Sequence, residues 1–200
     1  MKILFLDIDG VVNCVTTFQR HRGAIGIDPE MAFRIGQIVI ATGCEIVLSS
    51  TWRLFEPSRE EVRKQVYPFI DVTPNMPKFG GAEMCERGYE IKDWLDRHPE
   101  VKKYAILDDN SDMLPEQFPN FFKTSWSTGI TEDIKQQVID HLNREDMLGG
   151  KTLDTFDSTS QSVNNSVESV LKGARKKLKK CINCGQSINQ PTPAKGVRRS

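Results

Sequence analysis

Near the start of the chain, Ile3-Leu4-Phe5-Leu6 is an unbroken apolar run that ends in Asp7-Ile8-Asp9-Gly10. A strand covered on one face alternates apolar and polar residues, whereas an unbroken run needs cover on both faces. Lys2–Leu6 therefore reads as a central parallel strand, and the layer arrangement that supplies such a slot is a sheet with helices on both sides.

The pattern downstream agrees. Asp28-Pro29-Glu30 opens a helix, with Asp28 as cap and Pro29 in the first turn. Met31, Ile35, Ile38 and Val39 follow helical spacing, and Gly43 closes the element. Glu45–Leu48 reads as a second strand ending in Ser49-Ser50-Thr51, and Arg59–Val66 as a short helix. Phe69–Val72 reads as a third strand, about Gly88 to Arg97 as a helix, and Tyr104–Leu107 as a strand ending in Asp108-Asp109. Phe121–Thr124 is the last strand, followed by a helix over Thr131–Asn143. Alternating strands and helices predict an α/β fold of three Rossmann-like layers. Ligands bind such sheets at the C-terminal ends of the strands. Three predicted strands end in residues capable of chemistry there: Asp7, Ser49 and Asp108.

Each group has a bland and a sharp reading. Asp-Gly alone is a common turn pair. Asp7 and Asp9 at the end of a buried strand, however, share a face and are costly together without a cation nearby. Gly10 lets the chain turn sharply and completes the set facing a phosphate, with Ser49, Ser50 and Arg53. A strand-end hydroxyl followed by free backbone N–H groups can hold a phosphate oxygen or cap a helix. Arg53 could grip a phosphate in bidentate fashion, while Trp52 reads as core. Asp108 and Asp109 offer hard oxygen ligands suited to magnesium, with Asp112 equally readable as a cap. Arg87, Lys92 and Lys78 are candidates for a cation beside the reacting phosphate.

The stretches LFLDIDGVV, IVLSSTWR, ERGYEIKDWL and YAILDDNSD, in that order, together resemble the haloacid dehalogenase-like (HAD) superfamily over about residues 1–143. The SSTWR and RGYEIKDWL segments are most similar to small HAD domains associated with RNA-repair proteins. The resemblance implies a HAD parallel sheet and a magnesium-dependent phosphatase. Asp7 would be the nucleophile that becomes phosphorylated, and Asp9 the acid and then the base. Ser49 would hold a phosphoryl oxygen. Arg87, 21 residues before Asp108, would be the cation, with Lys92 second. Asp7, Asp108 and the Asp9 backbone carbonyl would hold magnesium, assisted by Asp109. An acid at the Asp9 position favours phosphoryl transfer over dehalogenation, because a halide leaving group needs no proton. Val12–Asp28 and Leu54–Arg87 are too short for a large cap, so the expected site is open. The implied substrate is a phosphomonoester on a nucleotide or nucleic-acid end. Two other readings are a degenerate nucleic-acid-binding module and a phosphoprotein phosphatase.

Composition adds a division of the chain. The formal net charge is zero, from 27 basic and 27 acidic residues. Residues 172–200 hold nine Lys/Arg and no acidic residue, which leaves 18 basic against 27 acidic, a net of −9, on the rest. The expected organisation is a catalytic domain over 1–147, a flexible polar linker over 148–171 and a basic tail over 172–200, which reads either as an arm for an anionic partner such as nucleic acid or as a solvated tail with no partner. Cys181 and Cys184 in the tail form a lone CxxC that resembles half of a zinc ribbon or knuckle, a candidate zinc site if a second copy completes the four ligands; the other reading is two free thiols. No apolar run approaches the ~20 residues that span a bilayer, and no signal-peptide pattern follows the first strand. Five cysteines without a framework fit a reducing compartment, so a soluble cytoplasmic protein without a membrane partner is expected.

Overall fold

The computed structural model describes residues 1–76 and 86–144. Lys78, the linker and the tail with Cys181 and Cys184 lie outside these residues. In chain order the elements are β1 (Lys2–Leu6), β2 (Arg20–His21), β3 (Ala24–Ile25), α1 (Pro29–Thr42), β4 (Glu45–Leu48), α2 (Glu56–Gln65), β5 (Asp71–Val72), α3 (Glu86–Asp96), β6 (Lys103–Asp108), β7 (Phe121–Lys123) and α4 (Glu132–Asn143). Short 3₁₀ turns cover Thr51–Leu54 and Pro115–Asn120.

The five long-range strands pair in parallel in the order β5-β4-β1-β6-β7, so β1 is central, as its apolar run predicts. Its side chains alternate between two cores. Leu4 and Leu6 join Ile35 and Ile38 of α1 and Val138 and Leu142 of α4. Ile3 and Phe5 join Ile91 and Trp94 of α3 on the opposite face. Phe5 meets Trp94 edge-on, with ring centroids 5.4 Å apart. Burying each such side chain contributes about 1.5–3 kcal/mol, so the unbroken run is stabilised only because both faces are covered.

Caps fix the helix ends. The Asp28 side chain accepts from the Glu30 and Met31 amides, and Gly43 at φ 65° closes α1. Thr131 accepts from the Ile134 amide and starts α4. Several boundaries differ from the sequence reading, three of them by two residues or more. α2 begins at Glu56 because Pro57 sits in its first turn, the third strand shortens to Asp71–Val72, and α3 begins at Glu86.

The hairpin of β2 and β3 was not expected. Its two-residue turn is Arg22-Gly23, at φ 51° and 86°. Two positive φ values match the twist of a hairpin, and asparagine or glycine is the usual occupant. An arginine in this left-handed conformation costs about 1–2 kcal/mol. This small hairpin is the main regular structure between Val12 and Asp28, consistent with a minimal cap. No helix among the described residues is long and apolar enough to cross a membrane.

Candidate active site

Because β1, β4 and β6 run parallel in register, the residues at their C-terminal ends share one edge of the sheet. Leu6 pairs with Leu48 on one side and Leu107 on the other. The next residues are Asp7, Ser49 and Asp108, and the Ser49 amide donates to the Leu6 carbonyl at 2.9 Å. Carboxylate oxygens of Asp7, Asp108 and Asp109 lie within 4.8 Å of one another. Arg87, in the first turn of α3, lies across two of them, with nitrogens 3.7 Å from Asp7 Oδ1 and 3.5 Å from Asp108 Oδ2.

Burial dominates the electrostatics. It raises the Asp7 carboxyl above its ordinary value, against the opposing pull of Arg87 and a hydrogen bond from Ser50. Asp108 is pushed up to about 7, first by burial and then by the charge of Asp7. Asp109 is also raised, by burial. Asp7, Asp108 and Asp109 thus form an acid-rich edge, with the Arg87 guanidinium against Asp7 and Asp108. Asp108 Oδ2, Arg87 Nη1 and Ser49 Oγ are buried and make no hydrogen bond. Hard oxygen donors, an acid-rich edge and an orphaned buried carboxylate oxygen are what a divalent cation such as magnesium fits.

Asp9, beside this cluster, is held by two donors of its own. Its Oδ1 accepts from Asn13 Nδ2 at 2.8 Å and its Oδ2 from Trp52 Nε1 at 3.0 Å. Asn13 is fully buried, and its Oδ1 takes the Gly10 amide at 2.9 Å. One side chain therefore shapes the turn and orients the carboxylate. The sequence reading missed Asn13, although its place four residues after Asp9 was a signal. Trp52 is buried as expected, yet its indole N–H serves Asp9, a contact that core packing alone does not suggest.

Two phosphate-facing expectations need correction. All five N–H donors of Arg53 are engaged within the protein: by the carbonyls of Thr73, Ser49, Ser50 and Pro74, and by Glu90 Oε1 at 2.6 Å. Arg53 is 4% exposed and clamps three chain segments, with no donor left for phosphate. The Gly10 amide is likewise taken by Asn13. What Gly10 supplies is space at φ 71°, since a Cβ there would lie 2.4 Å from Asp109 Oδ2. Ser50 accepts from the Trp52 amide at 3.4 Å and lies against Asp7. Lys92 points away from the cluster and pairs with Asp96 at 2.7 Å on the exposed side of α3. Asp112 is outside the acidic cluster and presents its carbonyl to the Gly88 amide at 3.1 Å. The two cysteines among the described residues that are free thiols, Cys14 and Cys44, are buried apart from any metal cluster.

A central parallel sheet whose strand ends gather DxD, serine and paired aspartates defines a HAD-type domain. The chain matches, over residues 3–134, the family model described as the HAD domain in Swiss Army Knife RNA repair proteins. The match spans well over half of the chain, and the protein belongs to that family. A search of the curated proteins found no match.

Proposed function

We propose that the protein is a magnesium-dependent phosphomonoester hydrolase acting on a nucleic-acid end through a phosphorylated Asp7. The observation that carries this reading is the convergence of Asp7, Asp108 and Asp109 under Arg87, with Asp9 oriented beside them. The family description, which concerns RNA repair, supports the choice of substrate class. The basic composition of segment 172–200, in a chain whose remainder is net acidic, supports the same choice, because a positive arm would attract a polyanion that the acidic remainder repels.

Asp7 attacks phosphorus, forming an O–P bond as the bond to the leaving oxygen breaks. Asp9 gives that oxygen its proton. In the second half, Asp9 takes a proton from the water that attacks the phosphoryl-Asp7, releasing inorganic phosphate and restoring both groups. Ser49 Oγ and Arg87 Nη1, both without internal partners, receive phosphoryl oxygens. Magnesium would be held by Asp7, Asp108 and the Asp9 carbonyl, with Asp109 beside them; when bound it offsets the repulsion between nucleophile and phosphate.

The test is phosphate release by the full chain with magnesium, across nucleotides, end-phosphorylated DNA and RNA, and phosphopeptides. Asp7→Asn should fall to background, and Asp9→Asn should lose about 10²–10⁴-fold in kcat. Turnover by Asp7→Asn at the wild-type rate would sink the covalent mechanism.

A further inference from the structure

A cavity of about 340 Å³ lies directly beside Asp9, which forms part of its wall. That volume is at the lower end of small-ligand sites, roughly 300–1,000 Å³. On the phosphatase reading above, Asp9 meets the leaving oxygen, so whatever carries the phosphate projects into this cavity.

Its walls are flat and largely apolar. Trp52 forms one side, with the His21 ring stacked on it at 4.9 Å between centroids and an interplanar angle of 26°. Phe55 forms another and is 64% exposed, although it is a large aromatic side chain. Ile25 and Leu54 add aliphatic surface. His21 is fixed from behind, with Nε2 3.2 Å from Ser58 Oγ.

Arg22 lines the cavity from the hairpin turn. Its backbone is left-handed, where asparagine or glycine would sit without strain. The turn gains nothing from an arginine, so the side chain is the reason to look for. Arg22 is exposed and makes no hydrogen bond or ion pair among the described residues. Arg20 on the same hairpin differs, donating to the Thr17 and Gln19 carbonyls.

We propose that this cavity seats the terminal nucleoside of a phosphorylated strand, its base lying against Phe55 and the Trp52–His21 pair. Arg22 then engages the phosphodiester that joins this nucleoside to the next. The substrate class follows: a polynucleotide end is preferred over the free mononucleotide, because only the polymer reaches Arg22 with a second phosphate. Stacking makes the site tolerant of base identity, since every base offers a π-face.

The experiment uses the full chain with magnesium and four substrates: an end-phosphorylated single strand, the matching mononucleotide, glycerol phosphate and a phosphopeptide. Phe55→Ala should lower the ratio of kcat/KM for the strand to that for glycerol phosphate about tenfold or more, as loss of one stacked base does. Arg22→Ala should lower the strand-to-mononucleotide ratio and reduce the slope of log KM against log salt by about 0.7, one phosphate contact on a single strand. Ratios that stay at wild-type values, or better turnover of a phosphopeptide than of the strand, overturn the proposal. Fluorescence anisotropy gives a readout independent of turnover: in the Asp7→Asn background, adding Phe55→Ala or Arg22→Ala should weaken binding of the labelled strand, and equal affinities overturn the proposal. Failure to release phosphate from any substrate would instead count against the phosphatase reading, with the binding arm still deciding the pocket. Both side chains lie outside the cores, and matching thermal melts verify that the variants fold.

Discussion

Replacing Asp108 by asparagine should make the metal-free protein more stable at alkaline pH while removing its response to magnesium. Asp108 is fully buried, and burial, followed by the charge of Asp7, pushes its carboxyl up to about 7. An unfolded aspartate titrates near 3.9. Between these values the folded chain holds a proton that the unfolded chain releases, so stability falls as pH rises through the window from about 4 to about 7. A gap of roughly three pH units corresponds to about 4 kcal/mol at pH 8, at about 1.4 kcal/mol for each. Asp7 and Asp109 are also raised and share the burden of the cluster, so the gain from Asp108→Asn alone should be about 2–3 kcal/mol. Urea unfolding in chelator at pH 5 and pH 8 measures it. The variant should exceed wild type at pH 8, and the difference should shrink to under about 1 kcal/mol at pH 5, where the wild-type carboxyl is protonated. Adding magnesium at pH 8 should stabilise wild type and leave the variant unmoved. A variant less stable than wild type at pH 8 without metal would refute the reasoning, because attraction to Arg87 would then outweigh burial.

Trp52→Phe keeps an aromatic wall but deletes the N–H on Asp9, so kcat should fall about tenfold with KM within about a factor of two, measured by steady-state kinetics on one phosphomonoester. Glu90→Ala leaves Arg53 buried without its carboxylate and should cost about 3–5 kcal/mol of folding stability in chemical denaturation; a loss under about 1 kcal/mol would mean that the carbonyls alone hold Arg53. Arg87→Ala should lower kcat far more than Lys92→Ala does, since only Arg87 lies across Asp7 and Asp108; the reverse ranking would move the cation role to Lys92.

The elements that the sequence makes legible are those whose cause is local. An unbroken apolar run, an Asp-Pro start and a left-handed glycine stop place β1 and α1 almost to the residue. The order of strand ends that carry Asp7, Ser49 and Asp108 follows from the same signals, because parallel register puts them on one edge. Arg53 shows where such reading stops. Its acceptors lie in three segments, and Glu90 is 37 residues away, so nothing near Arg53 distinguishes a clamp from a phosphate ligand. Lys92 was readable in principle, since Asp96 stands one helical turn beyond it. The β2–β3 hairpin has two paired residues per strand, too few for any alternation to register.

The Arg53 clamp also bears on how this edge of the molecule comes apart. β5 contributes two residues to the sheet, and so short an edge strand would ordinarily fray without disturbing its neighbours. Here the carbonyls of Thr73 and Pro74, just beyond β5, share one guanidinium with the Ser49-Ser50 turn and with Glu90 of α3. Releasing the edge strand strips acceptors from a buried cation, which then loosens the turn beside Asp7 and the helix that carries Arg87. Partial opening at the periphery is thereby coupled to dismantling of the chemistry, and the edge strand, the serine turn and α3 form a single cooperative unit.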